Sequence, residues 1–187
     1  MSKLLTEQDF IDAANDIKCK VASIKAVCEV EAPRGGFDVV GNPTLLFERH
    51  IFSRYTKGKF DKSNPILSNP IPGGYGASGV AQWNKLQQAL LLDRIAALYA
   101  CSWGKFQIMG FNFAIAGFKK IDDFVKAMNT SEGDQLKAFV NLVKSSRLDD
   151  ELINLDWKGF AKGYNGKNYT INNYDKKLEV AYNKYNS

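Results

Sequence analysis

All five prolines of this chain lie between Pro33 and Pro72. Proline fixes φ, lacks an amide donor and pushes its predecessor out of the helical region, so long helices can run only before and after that window. Thr6-Glu7-Gln8-Asp9 reads as a capping box, opening a helix with Phe10, Ile11 and Ala14 on its apolar side. Val21, Ile24, Val27 and Cys28 keep helical spacing in a second helix that must stop before Pro33. Glu31 therefore falls at a helix C-terminal edge, where the negative end of the macrodipole raises the proton affinity of a carboxylate. Beyond Gly35-Gly36, the runs Phe37 to Val40 and Thr44 to Phe47 read as two short strands joined by Gly41-Asn42-Pro43. Glu48 then stands where the second strand gives way to a helix, ERHIFSRY, and the hairpin would turn both glutamates toward one cleft.

Residues 57–79 hold Pro65, Pro70 and Pro72 with four glycines after the last of these, and show no packing periodicity, so a long ordered loop or lid is expected there. Helical patterns then dominate: Val80 to Leu92, Arg94 to Ala100, Ile121 to Met128, Gln135 to Lys144, Glu151 to Leu155, Trp157 to Tyr164 and Tyr174 to Tyr185. Between them lies the glycine- and aromatic-rich segment SWGKFQIMGFN, residues 102–112. The expected fold class is mainly α, a helical bundle of the α+β kind with a small β-hairpin beside a catalytic cleft.

With 187 residues, 45% hydrophobic and 24% charged, residues 1–187 fit one domain that can bury a core without metal or disulfide support. Cys19, Cys28 and Cys101 show no CxxC spacing and His50 is the one histidine, so no metal site is expected and buried free thiols are. The N-terminus carries no export signal and no apolar stretch approaches a membrane span, which predicts a soluble protein made in the cytoplasm. A formal charge of +5 favours polyanionic partners in general, yet none of the standard nucleic-acid motifs is present, and a monomer is expected.

Two carboxylates in unlike surroundings are what glycosidic cleavage requires: one protonates the leaving oxygen and the other supports an oxocarbenium-like centre. Glu31 has Val27, Val30 and Phe37 near it in sequence, an apolar collar, whereas Glu48 is followed by Arg49 and His50. The plainer readings are a surface charge for Glu31, and for Glu48 an ion pair with Arg49 or a helix cap. Trp103, Phe106, Met109, Phe111 and Phe113 read mainly as core. Tyr75, between Gly73-Gly74 and Gly76, suits stacking on a pyranose face or simply anchors its loop. His50 serves at most as support for Glu48. The segment 157–187 sets six lysines against Asp175 and Glu179; its helix is expected to pack Leu178, Ala181 and Tyr182 inward, with weak contact to an anionic outer membrane as the lesser expectation.

SWGKFQIMGFN at 102–112, FAKGYNG at 160–166 and NNYDKKLEVAYNKY at 172–185, with VEAPRGGF and LFERHIF, resemble the signature blocks of the phage endolysin N-acetylmuramidases. The wider likeness is to goose-type lysozymes and lytic transglycosylases, although this chain carries Ala32, Pro33 and Arg34 where that superfamily's turn has Ser and Gly. The resemblance implies a lysozyme-like fold without cofactor or metal, acting on peptidoglycan glycan strands at the β-1,4 bond between N-acetylmuramic acid and N-acetylglucosamine. It implies Glu31 as general acid, Glu48 as a second carboxylate, and Gln107, Tyr164 and Asn165 as contacts to the sugar beside the scissile bond. Asn165-Gly166 has a helix C-cap as its plainer reading, and Gln107 could equally satisfy buried backbone. An endolysin would wait in the host cytoplasm until a separate membrane-permeabilising protein gives it access to the wall. Lytic transglycosylase chemistry and a non-catalytic wall-binding module are the alternatives.

Overall fold

The computed structural model describes residues 3–187, with residues 167 and 168 described by their backbone alone. Helices α1 (Glu7–Ile17) and α2 (Val21–Glu31) come first, followed by strand β1 (Leu45–Phe47) and α3 (Arg49–Tyr55). After the long loop come α4 (Val80–Leu92), α5 (Arg94–Tyr99), strands β2 (Cys101–Trp103) and β3 (Ile108–Met109), and a 3-10 turn, Gly110–Asn112. The remainder is helical: α6 (Ile121–Thr130), α7 (Glu132–Ser145), α8 (Asp149–Asn154), α9 (Trp157–Asn165), a 3-10 segment Lys167–Asn172, and α10 (Tyr174–Asn186). Among the described residues no helix is long and apolar enough to cross a membrane.

Local chemistry accounts for most of these boundaries. The Thr6 hydroxyl accepts the Asp9 amide while Asp9 accepts the Thr6 amide, closing the expected capping box. Asp93, Ser131 and Asp156 likewise cap α5, α7 and α9 with side-chain oxygens. The core gathers Phe47, Phe52, Trp103, Phe124, Phe139 and Phe160, all fully buried. Helix α10 lies along α2 and buries Leu178, Ala181 and Tyr182, the face its spacing predicts.

The expected hairpin between residues 37 and 47 does not form. Only an isolated bridge joins Phe37 to Pro43. The cause is Asp38, whose Oδ1 accepts the amides of Val40 (3.0 Å) and Asn42 (2.9 Å), capturing the donors a ladder would need. Val39 and Val40 are left exposed, at 103% and 70%. Strand β1 pairs instead with β2 in antiparallel register, Leu46 opposite Ser102, and β2 pairs with β3, Ser102 opposite Met109. The hairpin beside the cleft is thus β2–β3, inside SWGKFQIMGFN, turning through Gly104 and Gln107 at positive φ.

The segment that links α2 to β1 is held from α7. Glu132, 4% exposed, accepts the Gly36 amide at 2.6 Å and the Leu5 amide at 3.1 Å, with Lys105 at 3.8 Å. Gln135, one helical turn on, accepts the Lys105 amide at 2.7 Å and donates to the Met128 carbonyl at 2.8 Å. Gly36 must be glycine here, since a Cβ would stand 2.2 Å from the Gln135 Oε1.

Residues 57–79 form an ordered loop. Asp61 accepts the hydroxyls of Ser53 (3.1 Å) and Ser68 (2.5 Å), and Gln82, buried in α4, donates to the Tyr75 and Ala77 carbonyls at 2.7 and 2.6 Å. The same Gln82 accepts the Phe47 amide at 3.0 Å, joining the loop to the end of β1.

Truncating Glu132 to alanine strands two backbone amides and the Lys105 charge. A loss of about 3 kcal/mol is expected, or roughly 6 to 12 °C in Tm for a domain of this size, read by thermal denaturation.

Candidate active site

Glu31 closes α2 and is half-buried. Its Oε1 accepts Asn165 Nδ2 at 2.8 Å, so the last residue of α9 reaches the last residue of α2. Burial raises the Glu31 pKa above the ordinary carboxylate value, against the opposing pull of the Asn165 bond and the Lys177 charge. The side chain forms part of the wall of a cleft of about 420 Å³ with Gln107, Met109, Asn112, Leu148 and Tyr164.

Tyr164 stacks on Phe160 (5.7 Å, 11°) and meets Phe139 edge-on at 5.5 Å, so an aromatic column fixes its ring. Burial, then the neighbouring Glu31 charge, pushes its phenol pKa well up, which keeps the hydroxyl a donor. Gln107 stands at positive φ on the β2–β3 turn. Its amide donates to the Gly104 carbonyl at 2.8 Å and accepts the Ser102 hydroxyl at 2.8 Å, so both ends are engaged by the hairpin that it buttresses. Asn165 is followed by Gly166 at φ 74°, the positive-φ C-cap that an Asn-Gly pair permits.

Glu48 continues the β1 ladder by one bond, its amide donating to Ala100 at 2.8 Å, before it caps α3 without a side-chain bond of its own. Partners directly opposite in a sheet share a face, as do residues two apart along a strand. Leu46, Ser102 and Met109 therefore form one row, Met109 opens onto the Glu31 cleft, and Glu48 lies on that same face two residues beyond Leu46. The Glu48 side chain is 16% exposed, with His50 Nδ1 3.2 Å from its Oε2. That separation suits an ion pair, but the alignment falls short of a hydrogen bond, and both atoms are buried without one.

Tyr75 brings the long loop to Glu48. Its backbone is carried by Gly73, Gly74 and Gly76, all at positive φ, and its carbonyl accepts Lys85 Nζ at 2.6 Å. The phenol reaches the Glu48 carboxylate, and burial together with that negative charge raises its pKa. Arg49 packs under Gly74, where a Cβ would stand 2.5 Å from the guanidinium carbon. Two groups of the expected residues thus emerge: Glu31, Gln107, Tyr164 and Asn165 around the cleft, and Glu48 with Tyr75 at the end of the sheet. Sequence reasoning passed over Gln82, Lys85, Glu132 and Gln135, although Gln82 shares a buried helical stripe with Leu86 and Ala89. Cys28 and Cys101 are buried free thiols, as expected, whereas Cys19 is half-exposed.

A family model described as N-acetylmuramidase matches residues 20–186. No curated protein matches the chain significantly. Among solved structures, the chain is similar to the crystal structure of the Burkholderia AP3 phage endolysin, at a TM-score of 0.94 and 38% identity, over 100% of this chain and 73% of that one. Fold and family together define a glycosidase-type enzyme with a lysozyme-like architecture. The chain belongs to the N-acetylmuramidase family, whose substrate is peptidoglycan.

Because the folded-state pKa of Glu31 is raised, the stability it contributes is present below the unfolded pKa and lost as pH rises through the folded one. Glu31→Gln should therefore melt close to the parent at about pH 4 and above it at about pH 8. Asn165→Ala removes a bond that favours the charged form, so the Glu31 carboxyl titration followed by NMR should move to higher pH.

Proposed function

We propose that this protein is an endolysin-type muramidase that hydrolyses the β-1,4 bond between N-acetylmuramic acid and N-acetylglucosamine. The observation that carries the reading is Glu31: a half-buried carboxylic acid at a helix C-terminus, with raised proton affinity, in the wall of a cleft. A glycosidic oxygen is a poor leaving group, and a carboxyl group whose proton affinity is raised by burial is suited to supply the proton that bond cleavage needs. Asn165 orients the acid through its Oε1, and its bond to the charged form stabilises the carboxylate left after proton transfer. Tyr164, its ring held by the aromatic column and its hydroxyl kept a donor, binds the sugar beside the scissile bond. Gln107 shapes the opposite wall through the β2–β3 turn.

Glu48 acts as the second carboxylate, supporting the developing cation and orienting the attacking water from the sheet side. His50 lies 3.2 Å from its Oε2, and the Tyr75 hydroxyl reaches the carboxylate. Tyr75, 38% exposed on its glycine support, also offers a ring face to a pyranose. Water attacking opposite to the acid inverts the anomeric centre, the outcome of the wider carboxylate arrangement. The likeness to a phage endolysin supports a role in lysing the bacterial host by opening its wall.

The test is wall digestion followed by mass analysis of the muropeptides. Hydrolysis yields reducing ends one water heavier than the anhydro ends of transglycosylation, and the first-formed anomer, read by NMR, should be inverted. Glu31→Gln should lose activity by at least about 10³-fold while remaining folded, and Glu48→Gln by about 10- to 100-fold. Normal lysis by folded Glu31→Gln would refute the assignment.

A further inference from the structure

Outside the catalytic cleft, a second depression of about 490 Å³ opens on the other side of the turn that carries Glu31. Val30 and Pro33, the residues flanking Glu31 and Ala32, form part of its floor, and Val180 and Ala181 of α10 complete the apolar surface. Lys176 and Lys177 stand on its rim, exposed. Glu29 also borders it, but its carboxylate is engaged by Lys184 Nζ at 2.7 Å and the Tyr185 hydroxyl at 2.6 Å. Among the described residues neither Lys176 nor Lys177 has a carboxylate within ion-pair distance, Asp175 and Glu179 of the same helix included. Lys177 instead lies 5.6 Å from the Tyr174 ring centre. The depression therefore combines small apolar surfaces with two exposed cations that form no ion pair among the described residues, and Val30 and Pro33 in its floor flank Glu31 and Ala32 in the chain.

That combination matches one part of the substrate. The peptide attached to N-acetylmuramic acid carries both alanyl methyls and free carboxylates, and it leaves the very sugar whose bond is cut. We propose that this groove is a subsite for the acidic stem peptide, with Lys176 and Lys177 pairing its carboxylates and Val30, Pro33 and Val180 receiving its methyls. The assignment rests on the glycan-cleaving reading above and adds a substrate class to it: strands that carry peptides, in preference to bare glycan. The placement of Val30 and Pro33 on either side of Glu31 and Ala32 in the chain argues for a substrate subsite over a remote surface patch, and the Lys177 charge is felt at Glu31.

The test compares kcat/KM on intact sacculi with that on sacculi stripped of stem peptides by an amidase, for the parent, Lys176→Gln and the Lys176→Gln/Lys177→Gln pair. The parent should favour peptide-bearing strands. That preference should fall about threefold in the single variant and about tenfold in the pair, and should weaken with added salt. Taking the ratio of substrates removes any general loss from folding or from the influence of Lys177 on Glu31. A ratio unchanged by the substitutions overturns the subsite, whether or not the variants lose sedimentation with anionic phospholipid vesicles. Failure of the parent to open either substrate would instead overturn the glycan-cleaving reading itself.

Discussion

The Glu132 carboxylate is buried where water cannot solvate it, so its charge must be met by the protein. It is met by the amides of Gly36 and Leu5 and by Lys105, groups drawn from three separate parts of the chain. The stretch from Ala32 to Thr44 has almost no ladder of its own; beyond the Phe37–Pro43 bridge and local turns, it is held by this carboxylate and Gln135 at Gly36, and by Trp83 and the Gly104 amide at Pro43 and Thr44. Glu31 precedes that stretch and Glu48 follows it, so Glu132 helps to fix the path between the two acids while hydrogen-bonding neither. Gly36 is part of the same constraint, being the one side chain small enough to let the backbone reach both α7 groups.

The two acids meet unlike surroundings as a result. Glu31 is half-buried in a cleft wall of mixed polarity, and its burial favours a neutral carboxyl against the opposing pull of its one amide partner. Around Glu48 the partners are His50 and the Tyr75 hydroxyl, with Arg49 and Lys85 close behind the same glycine turn. The loop that supplies Tyr75 is held by Gln82, which also bonds the strand carrying Glu48. Loop and strand end are thus tied through one buried side chain.

Legibility in the sequence followed the range of the interaction. The span of α4 is Val80–Leu92, as its periodicity predicts, and the α1 capping box is a contact between neighbours. Glu31 could be placed at a helix end because Pro33 forbids continuation. The hairpin was misassigned because Asp38 competes locally for amides, while the true partner of β1 lies some fifty residues away in a segment whose glycines mask its strands. Glu132 and Gln135 gave a weak signal: both fall on the stripe of Leu136, Phe139 and Val143, where polar side chains must find buried partners. Which backbone groups they bind is a matter of tertiary approach, and no local pattern encodes it.

The proton on Glu31 is held by a balance that the helices create. Helices α2 and α9 end at Glu31 and Asn165, so two helix C-termini, each carrying partial negative charge, converge on one carboxyl. Both add to burial in favouring the neutral acid. The Asn165 amide and the Lys177 charge act in the other direction, toward the carboxylate. The proposed role of general acid would use both, since such a group must hold its proton until the substrate is bound and then release it. Burial is the largest of these influences, so the net shift is upward, and α10 enters the balance by supplying the lysine that opposes it.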